Sequence, residues 1–348
     1  TFRRIRPGAS FGFYTGQEKS EQADILFASI QTLTNHLQSF TPTEFDYIVV
    51  DEFHHAHAPT YRKVIDYFDP KFLLGLTATP ERTDGGNLLA LCGQNLVYRC
   101  DLAAGMEENL LCPIRYYGVP DVVDYSNIPW RSTRFDPDEL TTALATVKRA
   151  ENAVEQYRKR AGSRTVAFCC TTAHADFMTE QFNQHGIKAV AVHSGPQSAN
   201  RTRALERLGQ GEIQVICCVD MFNEGVDLPQ IDTVMMLRPT ESRIIWLQQL
   251  GRGLRKAEGK EHLTVVDYIG NHRIFRLKLE TLVLELLRGK GSSDSELRKV
   301  LKGFQFDEVE LPEGCEVTYE LEAVEILRSL LPSCLVFWSS LRASFWMS

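Results

Sequence analysis

The chain has 348 residues, 43% of them hydrophobic and 24% charged, with a formal net charge of −7. That length accommodates two ordinary α/β domains and a remainder, and the composition is globular, without a low-complexity tract. No apolar run approaches the ~20 residues that span a bilayer, and net acidity excludes a protein that coats nucleic acid by bulk charge, though not a local basic track.

In chain order, short apolar runs at 24–30, 45–50 and 72–76 predict strands, with helices between them. Further strands are expected at 95–100 and 113–119. Residues 120–138 hold three prolines among many polar residues and are expected to be an interdomain linker. A helical pattern over 137–160 opens a second alternation, with strands at 165–170, 189–193, 213–219, 233–237 and 263–268. Helices are expected at 173–184, 199–208 and 242–250. Strands alternating with helices of this length predict a parallel, doubly wound sheet. A leucine-rich helix over 274–287, a Gly/Ser break and a helix over 316–330 follow. The segment 331–348, with four large aromatics and one charge, shows no clean period and carries no assignment.

The nine cysteines include the pairs Cys169-Cys170 and Cys217-Cys218 inside apolar strand patterns, and no CxxC. That usage predicts free, buried thiols in a reducing cytoplasm, not disulfides or zinc.

The run 45–50 delivers Asp51 and Glu52 to a strand's carboxyl end, where open α/β sheets place their ligands. Two adjacent carboxylates there can hold a hydrated Mg²⁺ and orient or deprotonate a water. His54, His55 and His57 also allow a metal reading, but zinc sites more often use His at i and i+4 of a helix or paired with Cys. Thr77-Ala78-Thr79-Pro80 closes the next strand, and the hydroxyls of Thr77 and Thr79 are candidates for a relay near Glu52 and His54. Asn223-Glu224-Gly225-Val226-Asp227-Leu228-Pro229 follows a buried strand. Gly225 would let the backbone approach a ligand, and Asp227 could accept from a ribose hydroxyl, or merely cap a turn.

Gln248-Gln249-Leu250-Gly251-Arg252-Gly253-Leu254-Arg255 is the most specific element. Gly251 and Gly253 are expected to let the helix end or bend, so that Arg252 and Arg255 project together toward a phosphate. Carboxylates on one side and arginines on the other are the division of labour of a two-lobed motor ATPase. Weaker signals mark a nucleic-acid track: Ser29, Gln31 and Thr32 at a strand-to-helix junction, Thr171, and His193-Ser194. Ser and Thr also cap helices routinely, so their value is collective.

Taken in order, SIQTL, DEFH, TATP, CCTT, NEGVDLP and QQLGRGLR resemble the motifs of superfamily-two DNA or RNA helicases, over about residues 20–270. DEFHHA, TATPERTDG and DMFNEGVDLP resemble more narrowly the bacterial DEAD/DEAH-like helicases grouped with the res subunit of type III restriction enzymes. The resemblance implies an α/β fold of two RecA-like parallel-sheet lobes: an incomplete first lobe at 1–119, a linker at 120–138 and a second lobe at 139–272. A mostly helical extension would occupy 273–330. It also implies ATP and Mg²⁺ as cofactors, DNA in preference to RNA as partner, and a possible nuclease domain upstream. Asp51, Glu52, His54, Gln248, Arg252 and Arg255 become the catalytic candidates, with Gly225 and Asp227 beside ATP. No GxxxxGK[ST] occurs in the chain, and the family's loop of that type lies upstream of SIQTL, so the chain is expected to be a fragment. A non-catalytic binding module and a restriction or anti-phage motor subunit are the alternatives.

Overall fold

A computed structural model describes residues 2–20, 22–77, 88–132, 134–220, 230–240, 242–287, 300 and 310–330. The chain divides between Arg99 and Cys100 into two compact units.

The first unit carries α1 (Phe2–Ile5), β1 (Phe11–Tyr14), β2 (Ile25–Ala28), α2 (Ile30–Asn35), β3 (Tyr47–Val50), α3 (Pro59–Tyr67) and β4 (Phe72–Gly75). β1 pairs with β2, and β3 with β4, both in parallel. Helix α3 is the crossover that parallel pairing of β3 and β4 demands. Its Val64 packs with Tyr14, Leu33, Leu37, Phe40 and Phe68 in one apolar cluster. β1 was not foreseen, although Phe11 and Phe13 alternate with Gly12 and Tyr14 in a two-residue period.

The sequence reading of β3 as a strand buried on both faces is corrected. Val50 is buried, but Tyr47 is 73% and Val49 57% exposed. One face of the pair packs on the apolar clusters, and no described residue covers the other. Residues 95–100, expected as a strand, form no regular element.

The second unit holds a seven-stranded sheet. Its elements are α4 (Leu102–Glu107), β5 (Ile114–Pro120), a hairpin of β6 (Trp130–Arg131) and β7 (Arg134–Phe135), α5 (Pro137–Leu144), α6 (Val147–Arg160), β8 (Thr165–Phe168) and α7 (Thr172–Gln184). There follow β9 (Ala189–Val192), α8 (Arg201–Gly209), β10 (Val215–Cys218), β11 (Thr233–Met236), α9 (Arg243–Leu254), β12 (Leu263–Ile269) and α10 (Arg273–Leu287). β13 (Glu316–Tyr319) and α11 (Leu321–Ser329) close the described chain. The sheet order is β13-β5-β12-β11-β8-β10-β9, and every pairing is parallel. β8, β10, β11 and β12 are buried along their whole length, as strands covered on both faces by helices must be.

Three expectations change here. The segment expected as a linker does not span open solvent: β5 ends at Pro120 inside the sheet, and Asp121 is buried against Arg149 of α6. Arg149 Nε and Nη2 reach both carboxylate oxygens at 2.9–3.2 Å, while Tyr125 donates its hydroxyl to Oδ2 at 2.7 Å. The helix expected over 137–160 breaks at Ala145 and Thr146 into α5 and α6. The helix expected over 316–330 begins instead with β13, whose Tyr319 ring lies so close over Gly118 that a Cβ there would stand 2.2 Å from it.

Candidate active site and nucleic-acid interface

At the carboxyl end of β3 the chain turns sharply. Glu52 takes a left-handed conformation (φ 50°, ψ 46°), unusual for a residue with a side chain and a place where strain collects at functional sites. The turn is held from two directions. Phe53 N–H donates to Leu76 O at 2.8 Å, and Leu76 N–H donates to Val50 O at 2.9 Å. The Phe53 ring also fills the space over Gly75, where a Cβ would lie 2.4 Å from ring carbon Cγ. Gly75, which looked like an ordinary strand residue, is therefore the floor of this turn.

The result gathers four predicted residues. Asp51 is exposed and its Oδ1 accepts from Glu52 N–H at 2.9 Å. The Glu52 carboxylate, 24% exposed, stands 3.4 Å from Nδ1 of the buried His54. The same nitrogen lies 3.2 Å from Thr77 Oγ1. With its proton on Nδ1, the imidazole donates toward both oxygens and links the carboxylate to the end of the neighbouring strand. His55 stacks at 4.1 Å on His54 and is itself exposed. Among the described residues, no group of three or more His, Cys, Asp or Glu is placed to hold a metal by protein ligands alone. An exposed carboxylate at a strand end does suit Mg²⁺, which keeps most of its waters and takes one or two carboxylates. Thr79 lies outside the described residues.

In the second unit all strands run one way, so the ends of β8, β9, β10 and β11 share one edge of the sheet. Gly225 and Asp227, which follow β10, lie outside the described residues. Thr171 and His193 are on that edge, but their side chains are committed. Thr171 Oγ1 accepts from His174 N–H as the cap of α7 and lies 2.8 Å from Thr141 Oγ1. His193 is buried, its Nε2 2.8 Å from Asp176 Oδ1, while its Nδ1 accepts from Gly195 N–H at 3.0 Å. The ring thus sets the conformation of the turn that displays the exposed Ser194. A Cβ on Gly195 would meet two ring atoms at 3.0 Å. Asp176, one turn into α7, gave no sign in the sequence that it would meet His193.

Behind this edge, His174 accepts from Cys170 N–H through Nδ1 at 3.3 Å. Burial, with Arg149 and Arg238 nearby, holds its imidazole well below the usual histidine range. Burial likewise pushes the Cys170 thiol up, so it is a packing residue and not a nucleophile.

Ser29, in the first unit, caps α2 by accepting from Thr32 N–H at 3.3 Å and donating to Thr32 Oγ1 at 2.8 Å. Gln31 is exposed beside them.

The arginine motif occupies the end of α9. Gln248 and Gln249 are buried, Arg252 is half-buried in the last turn and Arg255 is exposed. The expectation that both glycines end or bend the helix is corrected, because α9 runs through them to Leu254. Gly253 serves packing: a Cβ there would lie 2.5 Å from Leu263 Cδ1, whereas Gly251 faces open space. Arg255 is already extended (φ −64°, ψ 141°), so it leaves the helix instead of continuing the face of Arg252. The freed carbonyls at this end are satisfied by Lys260, which donates to Gly253 O and, at 2.9 Å, to Arg255 O.

Comparison with known proteins gives a consistent picture. Residues 1–82 match the family described as type III restriction enzyme, res subunit, and residues 147–257 the helicase conserved C-terminal domain. IRC3 of Saccharomyces cerevisiae, which bears the name of an ATP-dependent helicase, is 28% identical over 76% of the chain and 40% of its own length. The type I restriction enzyme EcoAI endonuclease subunit of Escherichia coli is 24% identical over 65% of the chain and 32% of its own length. The chain spans less than half the length of the first curated relatives it matches. Among solved structures, a fragment described as an HsdR subunit of a type I restriction enzyme from Vibrio vulnificus superposes with TM-score 0.60 and 24% identity, covering 91% of this chain and 56% of that one. The Type ISP restriction-modification enzyme LlaBIII, bound to DNA, gives TM-score 0.58 and 17% identity over 92% of this chain and 27% of its own. Identities this low establish the fold alone.

Proposed function

The chain belongs to the superfamily-two helicases, in the group related to the res subunit of type III restriction enzymes, and from that membership we propose that it works as the motor of an ATP-driven helicase or translocase acting on DNA. The observation that carries the proposal is the Glu52–His54–Thr77 linkage, with distances of 3.4 and 3.2 Å, at the carboxyl end of a parallel strand. Glu52 would orient the attacking water and accept its proton, and Asp51 would hold Mg²⁺ through water. The bound Mg²⁺ would neutralise charge developing on the phosphates. His54 and Thr77 would tie the position of Glu52 to the strand end beside it. Gln248, Arg252 and Arg255 would face the phosphates, with the arginines stabilising the transferring group. Gly225 and Asp227 would lie along the ribose, and Thr79 would act with Thr77.

Ser29, Gln31 and Thr32 in one unit, and Thr171, His193 and Ser194 in the other, would contact the DNA backbone, His193 through the turn it holds. DNA is preferred to RNA because the named relatives include restriction enzymes, one of them solved on DNA. The same names favour, as a second reading, a motor subunit that feeds a nuclease in a restriction system, with the nuclease carried upstream or on a partner. Among the described residues no helix is long and apolar enough to cross a membrane, which accords with a cytoplasmic site of action. The discriminating experiment is ATP hydrolysis by the native full-length protein with and without DNA. A non-catalytic binding module would bind DNA and hydrolyse nothing.

A further inference from the structure

Helix α9 is tied along its length to α10, a helix that begins beyond the helicase C-terminal match at residue 257. At its first turn, Arg243 Nη2 lies 3.1 Å from Glu285 Oε1, the two side chains 24% and 15% exposed. At its middle, the buried Trp246 donates Nε1–H to Asp267 Oδ2 at 3.3 Å, and Tyr116 donates its hydroxyl to the same oxygen at 2.8 Å. The other oxygen accepts from Lys278 Nζ of α10 at 2.7 Å, with Asp267 fully buried and Lys278 3% exposed. Leu250 and Leu254 of α9 belong to the same apolar cluster as Leu279, Leu282 and Leu286 of α10.

A buried lysine–carboxylate pair is a poor source of stability, since apolar side chains of similar volume would hold two helices together as well or better. What such a pair supplies is geometry. Apolar ridges can slide by a turn at little cost, whereas a carboxylate shared by Trp246 and Lys278 fixes the axial position of both helices.

We infer that α10 is a positioning strut for the arginine-bearing helix: Lys278 and Glu285 set the place from which α9 presents Arg252 and Arg255. The inference rests on the reading of those two arginines as phosphate-facing, and it makes α10 the route by which a movement elsewhere in the protein would reach them.

The test compares Arg243→Glu, Glu285→Arg, their double swap, Lys278→Met and Arg255→Ala in the native full-length protein. Readouts are kcat and KM for ATP with saturating single-stranded DNA, together with the thermal unfolding midpoint. The Arg243 and Glu285 variants should lose roughly ten- to hundredfold in kcat, as misplacement of about 1 Å can do, with KM and the unfolding midpoint little changed. The double swap should restore most of kcat. Lys278→Met should behave like the single variants, and if it fails to fold the half-exposed pair still decides the matter. Wild-type turnover in both half-exposed single variants, or loss that the double swap does not relieve, would overturn the strut while Arg255→Ala remains impaired. Undiminished turnover in Arg255→Ala would overturn the phosphate reading and the strut with it.

Discussion

The Glu52 carboxylate stands 3.4 Å from His54 Nδ1 on a backbone turned into the left-handed region, at φ 50°. A glutamate pays about 1–3 kcal/mol for such a conformation, and the surroundings that enforce it can be named: the Leu76 carbonyl that accepts from Phe53 N–H, and the Phe53 ring seated on Gly75. Gly75→Ala should therefore act on a residue it does not touch. The added methyl would displace the Phe53 ring and with it the turn, costing about 1–3 kcal/mol in urea unfolding, and ATP turnover should fall further than stability explains. A Gly75→Ala protein with wild-type stability and turnover would show that the turn is not held from below.

Arg149 and Asp121 form the pair that converts an expected linker into part of the sheet's surroundings. Burial works against the arginine's charge, yet the Asp121 carboxylate more than offsets it and raises Arg149 above its usual value. Arg149→Leu should cost about 3–5 kcal/mol, because it leaves Asp121 buried and uncompensated. Adding Asp121→Asn should return part of that loss. A cost below about 1 kcal/mol for the single variant would mean that the pair is solvated in solution.

His174 gives the pH dependence a sign. Its folded-state pKa is depressed by burial, with Arg149 and Arg238 adding to the effect, so the unfolded chain binds the proton more tightly. Stability from this residue is complete above the unfolded value of about 6.5 and falls as pH drops below it toward the folded value. His174→Asn, which keeps an acceptor for Cys170 N–H, should flatten the loss of stability between pH 6.5 and 5. An unchanged slope would place the acid sensitivity elsewhere.

How much of this was legible in the sequence follows from what decides each element. The strands of the second sheet could be read because a strand buried on both faces must be apolar throughout, as Val215, Ile216, Cys217 and Cys218 are. β13 could not, because a four-residue edge strand is chosen by its partner: Tyr319 needs the space that Gly118 leaves on β5. Asp51, Glu52, His54 and Thr77 were found from their order along the chain, and they do meet at one strand end. The partners that hold such residues in place were invisible, since Asp176 and Lys278 look like ordinary polar positions on helices. His193 marks the boundary: its location was readable, but its burial and its bond to Gly195 were not.

Gly195→Ala should disturb the turn that His193 holds. The methyl would press on an imidazole fixed by Asp176, breaking one hydrogen bond worth about 1 kcal/mol and weakening single-stranded DNA binding roughly fivefold. Binding by the wild type should fall steeply with salt and show little sequence preference. Full affinity in the Gly195→Ala variant would remove this turn from the DNA path.

The central claim is that Glu52 activates water for ATP hydrolysis, and the direct measurement is steady-state ATPase of the native full-length protein with saturating single-stranded DNA, wild type against Glu52→Gln, alongside nucleotide binding by both. The account predicts DNA-stimulated turnover in the wild type, and in Glu52→Gln a loss of at least about a hundredfold, the scale of general-base catalysis, with nucleotide binding retained. Glu52→Gln turning over at the wild-type rate, or a wild type that binds DNA and never hydrolyses ATP, would contradict it.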